Sequence, residues 1–128
     1  MSDAQSSIRR YDVQARSTDT FGRVLCGCRQ HHFVVDGPIQ NGCPGEAVTP
    51  AEFFLSGVAA CGVELLQVIA REKSMPLRSV RVKISGAMDR SRPVRPDFAL
   101  FNSVHLDFEL EGVNDRQASE LIEAFKKR

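Results

Sequence analysis

The chain has no excess charge of either sign: 17 lysines and arginines face 16 aspartates and glutamates, a net charge of +1 over 128 residues. Bulk electrostatics therefore give no argument for a nucleic acid or a membrane as partner. The first residues are polar and lack the apolar segment of a secretory signal. The most apolar stretch, residues 53–70, is interrupted by Ser56, Glu64 and Gln67 and is of marginal length for a bilayer, so it reads as a core helix. Internal repeats and low-complexity tracts are also missing. Four cysteines without a signal point to the reducing cytoplasm, where thiols are catalytic, metal-binding or simply packed rather than paired as staples. The length fits one domain, 1–128, with a real hydrophobic core.

The most informative feature present is the helix expected from Thr49 onward. Thr49 is the N-cap, Pro50 takes the first helical position, and Glu52 sits where a capping box closes. From Phe53 to Ala70 the pattern is apolar nearly all round, which predicts an interior helix. Cys61 lies among Ala59, Ala60 and Gly62, with Gly57 one turn earlier. Two readings follow: a small buried hydrophobe, as free cysteine commonly is, or a redox thiol. The helix alone does not activate it, since Cys61 is three turns in and the macrodipole fades after the first. Glu64, three residues on, opposes ionisation. A reactive thiolate there needs a cation, a hydrogen bond or a metal from elsewhere.

Around this helix the pattern alternates in strand fashion. Residues 8–16 place Tyr11, Val13 and Ala15 on one face; 24–36 read as a hairpin or two short strands with Gly27 as the bend. Residues 36–48 form a Gly/Pro/Asn loop, and Met75-Pro76 ends the helix. Val80, Val82, Ile84 and Gly86 alternate as a strand, while 90–97, with three arginines and two prolines, is a solvated connection. In 98–110, Val104, Leu106, Phe108 and Leu110 face one way and Ser103, His105, Asp107 and Glu109 the other, one buried and one wet face of an antiparallel sheet. Asn114 and Gln117 form a capping box for a last helix, 114–127, with its stripe at Ala118, Leu121, Ile122 and Phe125. The fold class expected is α+β.

Cys26-Gly-Cys28 followed by His31-His32 invites a zinc reading, but Cys-x-Cys is not a standard ligand spacing. On one continuous strand Cys26, Cys28 and His32 share a face and His31 points away. Redox pairing of Cys26 with Cys28 is the other alternative; strand packing is the simpler account, so neither metal nor cofactor is expected. His105 reads as a surface residue.

The run Gly-Glu-Ala-Val-Thr-Pro-Ala-Glu-Phe-Phe-Leu-Ser-Gly-Val-Ala-Ala-Cys, 45–61, resembles the signature of the OsmC/Ohr family of osmotically inducible and organic hydroperoxide resistance proteins. The order of the elements that follow is similar, and the resemblance spans about residues 10 to 128. It implies an OsmC-like fold with antiparallel sheets around a long central helix, and an intertwined homodimer with two active sites at the subunit interface. In the peroxidase branches a helix thiol attacks the peroxide and a second cysteine resolves the sulfenic acid. Carried onto this chain, the resemblance implies Cys61 as the attacking thiol, with Glu52 and Arg23 as its charged companions and Arg16 competing with Arg23. Cys43, in the loop before the helix, is the candidate resolving thiol, with an external thiol or dithiol as reductant. The rival expectation is a non-catalytic module of the same fold that binds an apolar small molecule at the dimer interface.

Two departures stand out. The acidic residue that directly follows the helix-starting proline in those branches is Ala51 here, and Glu52, one place later, is rotated by about 100°. The family's second redox cysteine lies just after the helix matching 114–127, where this sequence reaches Arg128. One expectation is that the reading frame continues past a UGA codon translated as selenocysteine, the alternatives being chance truncation and a one-cysteine form. The gene beyond the Arg128 codon decides: UGA followed by an in-frame Pro-led loop and strand supports the selenol, and any other stop codon removes it.

Overall fold

The computed structural model describes residues 7–97 and 101–127. The start of the alternating stretch, 98–100, most of the polar N-terminal residues and the expectations tied to Arg128 lie outside them. The chain forms two compact units, Met1–Phe53 and Phe54–Arg128.

The first unit is an antiparallel sheet of three strands in sequence order: β1 (Gln14–Ser17), β2 (Arg23–Cys28) and β3 (His31–Asp36). The first strand is shorter than its alternation suggests. Its ladder begins at the Gln14–Gly27 pair, one residue short of the end of β2. Tyr11 and Val13 precede the ladder and are exposed. The bend of the second hairpin lies at Arg29-Gln30 rather than at Gly27, which is paired on both sides. Arg29 adopts φ 56°, uncommon for a residue with a Cβ, and this lets a two-residue connection join β2 to β3.

The long helix α1 (Pro50–Glu72) begins at the end of the first unit and runs on as the first element of the second. Thr49 and Glu52 cap it reciprocally. The Thr49 amide and hydroxyl donate to Glu52 Oε1 at 2.9 and 3.0 Å, and the Glu52 amide donates to Thr49 Oγ1 at 3.4 Å. Beyond Glu72 the chain reverses through Ser74 at φ 54°, and the Met75 amide donates to the Ala70 carbonyl at 2.8 Å.

Two antiparallel strands, β4 (Ser79–Ala87) and β5 (Ser103–Glu111), and helix α2 (Asp115–Lys126) complete the second unit. The core is built by Leu66, Ile69 and Ala70 of α1 with Leu121 of α2, surrounded by Val80, Phe108, Leu110 and Phe125 among others. Gly62 brings α1 close to two aromatic rings: a Cβ there would lie 3.6 Å from both Phe108 and Phe125, which meet edge to face at 5.6 Å. The outer face of the β-ribbon pairs Arg81 with Glu109 and Lys83 with Asp107, the wet face that the alternation predicts. The result is an α+β fold with antiparallel sheets and one long helix.

The helix departs from expectation in where it is buried. Gly62, Leu66, Ile69 and Ala70 are buried, all in its second half, whereas Phe53 and Phe54 are 36% and 58% exposed in the single chain. By length and composition alone α1 could cross a bilayer, but its buried stripe at i, i+4, i+7 and i+8 is the pattern of a helix packed on a protein core. In α2 the capping box is as read: Gln117 N donates to Asn114 Oδ1 at 2.8 Å and Asn114 N to Gln117 Oε1 at 3.1 Å.

These contacts set a scale for stability. Urea denaturation of Leu121→Ala is expected to show a loss of about 3 kcal/mol, the transfer and cavity cost of a fully buried leucine. Asn114→Ala is expected to lose about 1 kcal/mol, the cost of an N-cap.

Candidate functional site

The best-defined polar cluster in the first unit centres on a residue that the sequence reading passed over. Asp36 closes β3 and is fully buried. Directly across the ladder is Arg23, the first residue of β2, and antiparallel partners project to the same face. Arg23 Nε donates to Asp36 Oδ1 at 2.8 Å and Nη2 to Oδ2 at 2.9 Å. Oδ2 also accepts the amides of Glu46 at 3.0 Å and Ala47 at 2.8 Å. Arg23 Nη2 further donates to Glu46 Oε1 at 2.7 Å, on the exposed side. The hydrogen bonds from Arg23, then those from the two amides, hold the Asp36 carboxyl well below the usual carboxylate range despite its burial. The same carboxylates hold the Arg23 guanidinium above its ordinary value. The available signal was a lone acid ending the apolar run Phe-Val-Val before a Gly-Pro loop. The strand register that pairs it with Arg23 was not readable.

Among the residues expected to act, Arg23 is therefore bound to two carboxylates, and Glu52 is the partner of Thr49 in the helix cap. Its carboxyl is lowered by the Thr49 amide and then by the Thr49 hydroxyl. Arg16 has an exposed side chain with no ion pair. Cys43 sits between two glycines. Its Sγ would lie 2.5 Å from a Cβ placed on Gly22, and a Cβ on Gly37 would collide with it as well. Sγ is 3.8 Å from the Asn41 carbonyl, the geometry of a weak S–H donor.

Cys61 belongs to the second unit and is an exposed free thiol, not a buried one. Phe54, Gly57, Cys61 and Glu64 follow each other at intervals of three and four along α1, so they form one stripe. Each of these four is exposed, and a Cβ on Gly57 would meet nothing within 4 Å. Phe54 stacks on Phe101 with ring centroids 5.7 Å apart, giving the stripe an aromatic end. Gly86 makes room for this pair, since a Cβ there would come 2.9 Å from the Phe101 ring.

The face assignment behind the zinc reading does not hold. Cys28 pairs with His31 and Cys26 with Phe33, whereas His32 pairs with Gly27. His31 therefore shares a face with the two cysteines and His32 lies on the other. The two-residue turn at Arg29-Gln30 folds the chain back, so parity along a continuous strand no longer applies. Among the described residues no cluster of three His, Cys, Asp or Glu side chains could hold a metal ion.

A sequence model of one family, described as OsmC-like protein, matches residues 43–128, and the chain belongs to that family. A curated protein that matches was not found. Among solved structures, an OsmC-like protein from Mycoplasma pneumoniae superposes with a TM-score of 0.79 at 19% identity, covering 94% of this chain and 82% of that one. An organic hydroperoxide resistance protein from Elizabethkingia anophelis, with thiocyanate bound, gives 0.76 at 16% identity over 94% and 84%. One from Legionella pneumophila, an organic hydroperoxide resistance protein OsmC, gives 0.70 at 20% over 95% and 85%. At such identities the likeness is one of fold.

The Asp36 cluster sets an acid dependence. A carboxyl whose folded pKa is depressed contributes stability that is fully present above its unfolded value, about 3.9, and is lost as pH falls further. Melting curves of the wild type are expected to fall steeply below about pH 4. Asp36→Asn is expected to melt lower at pH 7 and to lose less on acidification; an unchanged acid slope would exclude Asp36 as the cause.

Proposed function

We propose that the protein is a cytoplasmic, homodimeric thiol peroxidase that reduces organic hydroperoxides through Cys61. The observation that carries this reading is the placement of the Cys61 thiol. In a chain of the OsmC family it lies in the open, on a helix stripe that ends in the stacked pair Phe54–Phe101. That stripe offers an apolar surface to the organic part of a substrate beside a reachable sulfur. Hydroperoxide resistance proteins among the structural neighbours support the substrate class.

In the reaction the Cys61 thiolate attacks the terminal peroxide oxygen and the O–O bond breaks. The alkoxide leaves and takes up a proton as alcohol, and the sulfur becomes a sulfenic acid. An external thiol condenses with it, releasing water, and a second thiol, or the other arm of a dithiol, regenerates Cys61 and leaves as disulfide. The thiol of Cys61 is exposed in the single chain, which supports an external thiol or dithiol as the reductant. Homodimerisation is supported by the apolar residues the single chain leaves uncovered: Phe53, Phe54 and Val104 are 36%, 58% and 39% exposed. All four cysteines are free, which fits a reducing compartment.

The second reading, a binding module without catalysis, is favoured by the state of the two charged candidates. Arg23 is bound to Asp36 and Glu46, and Glu52 to Thr49, so neither side chain is left free of other partners. Mass spectrometry after substoichiometric cumene hydroperoxide separates the two. Oxidation confined to Cys61 is expected for the enzyme, and an inert thiol for the binder. Cys61→Ser is expected to abolish hydroperoxide consumption, while Cys26→Ser and Cys28→Ser keep most of it. Full turnover by Cys61→Ser would end the peroxidase reading.

A further inference from the structure

One face of the first sheet contains a hollow of about 200 Å³ bordered by Gln14, Arg16, Leu25, Gly27 and His32. It exists because β2 carries a glycine in its interior. Gln14, Gly27 and His32 form one row across the three strands, so the missing side chain leaves a gap between an amide and an imidazole. Nothing local requires glycine there. Gly27 is not among the residues with positive φ, and both ladders run one to one through it without a bulge. A Cβ at Gly27 would come no nearer than 3.7 Å to another atom, His32 Cδ2, which is ordinary contact. Glycine inside a strand weakens the sheet, and one that serves neither bulge nor bend marks the close approach of a ligand or of another backbone.

The rim decides between these two. Gln14, Arg16 and His32 bring side-chain donors, all three residues are exposed, and among the described residues their side chains have no hydrogen-bond or ion-pair partner. Among the described residues no carboxylate borders the hollow. The acid further along the same face, Asp36, is already bound by Arg23. Leu25 supplies an apolar wall. Unpartnered donors without a balancing acid suit an anion, whereas the backbone of a neighbouring strand would bring no net charge to meet them. We propose that this hollow binds a small organic anion, its carboxylate held by Arg16 with Gln14 and His32 beside it, and its apolar body lying over Gly27 against Leu25. The volume is below that of a drug-sized pocket and suits a molecule of the size of benzoate. The proposal does not depend on the chemistry of Cys61.

Two-dimensional amide NMR with benzoate as probe, and benzyl alcohol as its neutral counterpart, tests it. Benzoate is expected to give saturable shifts at residues 14–16, 25–27 and 32 with a dissociation constant of about 1 mM. Benzyl alcohol and the Arg16→Ala variant are each expected to bind about tenfold more weakly or worse. Gly27→Val, which fills the hollow, is expected to remove the response, and Gly27→Ala to reduce it should the valine variant not fold. Three results would overturn the proposal: no saturable shift at these amides up to about 20 mM benzoate, equal binding of benzyl alcohol, or an Arg16→Ala variant that binds as the wild type does. A Gly27→Val protein whose oligomeric state changes, with benzoate silent throughout, would show that the glycine receives another backbone instead.

Discussion

A fully buried carboxylate organises the first half of this molecule. Asp36 can remain charged without water only because four donors reach it: two from Arg23 and the amides of Glu46 and Ala47. Those donors come from the start of β2 and from the loop that ends at α1, so one side chain ties the sheet to the approach of the helix. Backbone bonds follow the same path, from the Asp36 amide to Val48 and from Gly37 to Gly22. Among the described residues no buried side-chain nitrogen or oxygen lacks a partner. Removing the Asp36 carboxylate would leave Arg23 and two loop amides to be satisfied anew, which is why the residue matters beyond its own pair.

The second half depends on packing rather than charge. α1 presents Gly62, Leu66, Ile69 and Ala70 to β5 and α2, and the small residue at 62 lets Phe108 and Phe125 come up to the helix. The opposite side of α1 is exposed, with Phe53, Gly57 and Ala60 in the first half and the polar Glu64, Gln67 and Arg71 in the second. The second half of the helix is thus amphipathic and covered on its apolar face, and the apolar surface left uncovered belongs to the first half.

Features governed by short-range chemistry were legible in the sequence. Both capping boxes, the alternation of β4 and β5, the stripe of α2 and the α+β class follow from spacing over a few residues. The motif at 45–61 placed the chain in its family. What depended on pairing between distant residues was not legible. The register of β2 against β3 decides that His31, not His32, joins the cysteines, and that Arg23 meets Asp36. Parity along a strand cannot cross a turn of unknown length. Composition likewise states that Phe54 and Cys61 belong to an apolar helix but not what, if anything, covers them. It thus overestimated how deeply the thiol is set.

The contact of Cys43 with Gly22 and Gly37 leaves an unequal tolerance to change. Residues 22, 37 and 43 meet with no spare volume, but only Cys43 has side-chain atoms to give up. Position 43 can shrink from thiol to hydroxyl with a loss of contact alone, whereas neither glycine can gain a methyl group while residue 43 keeps its Cβ, 2.6 Å from a carbon added at Gly22 and 2.8 Å from one added at Gly37. Gly22, at φ 82°, is held by its backbone as well. Variation at this junction is therefore ordered: position 43 must give up its Cβ as well as its sulfur, and so become glycine, before a larger residue fits at position 37.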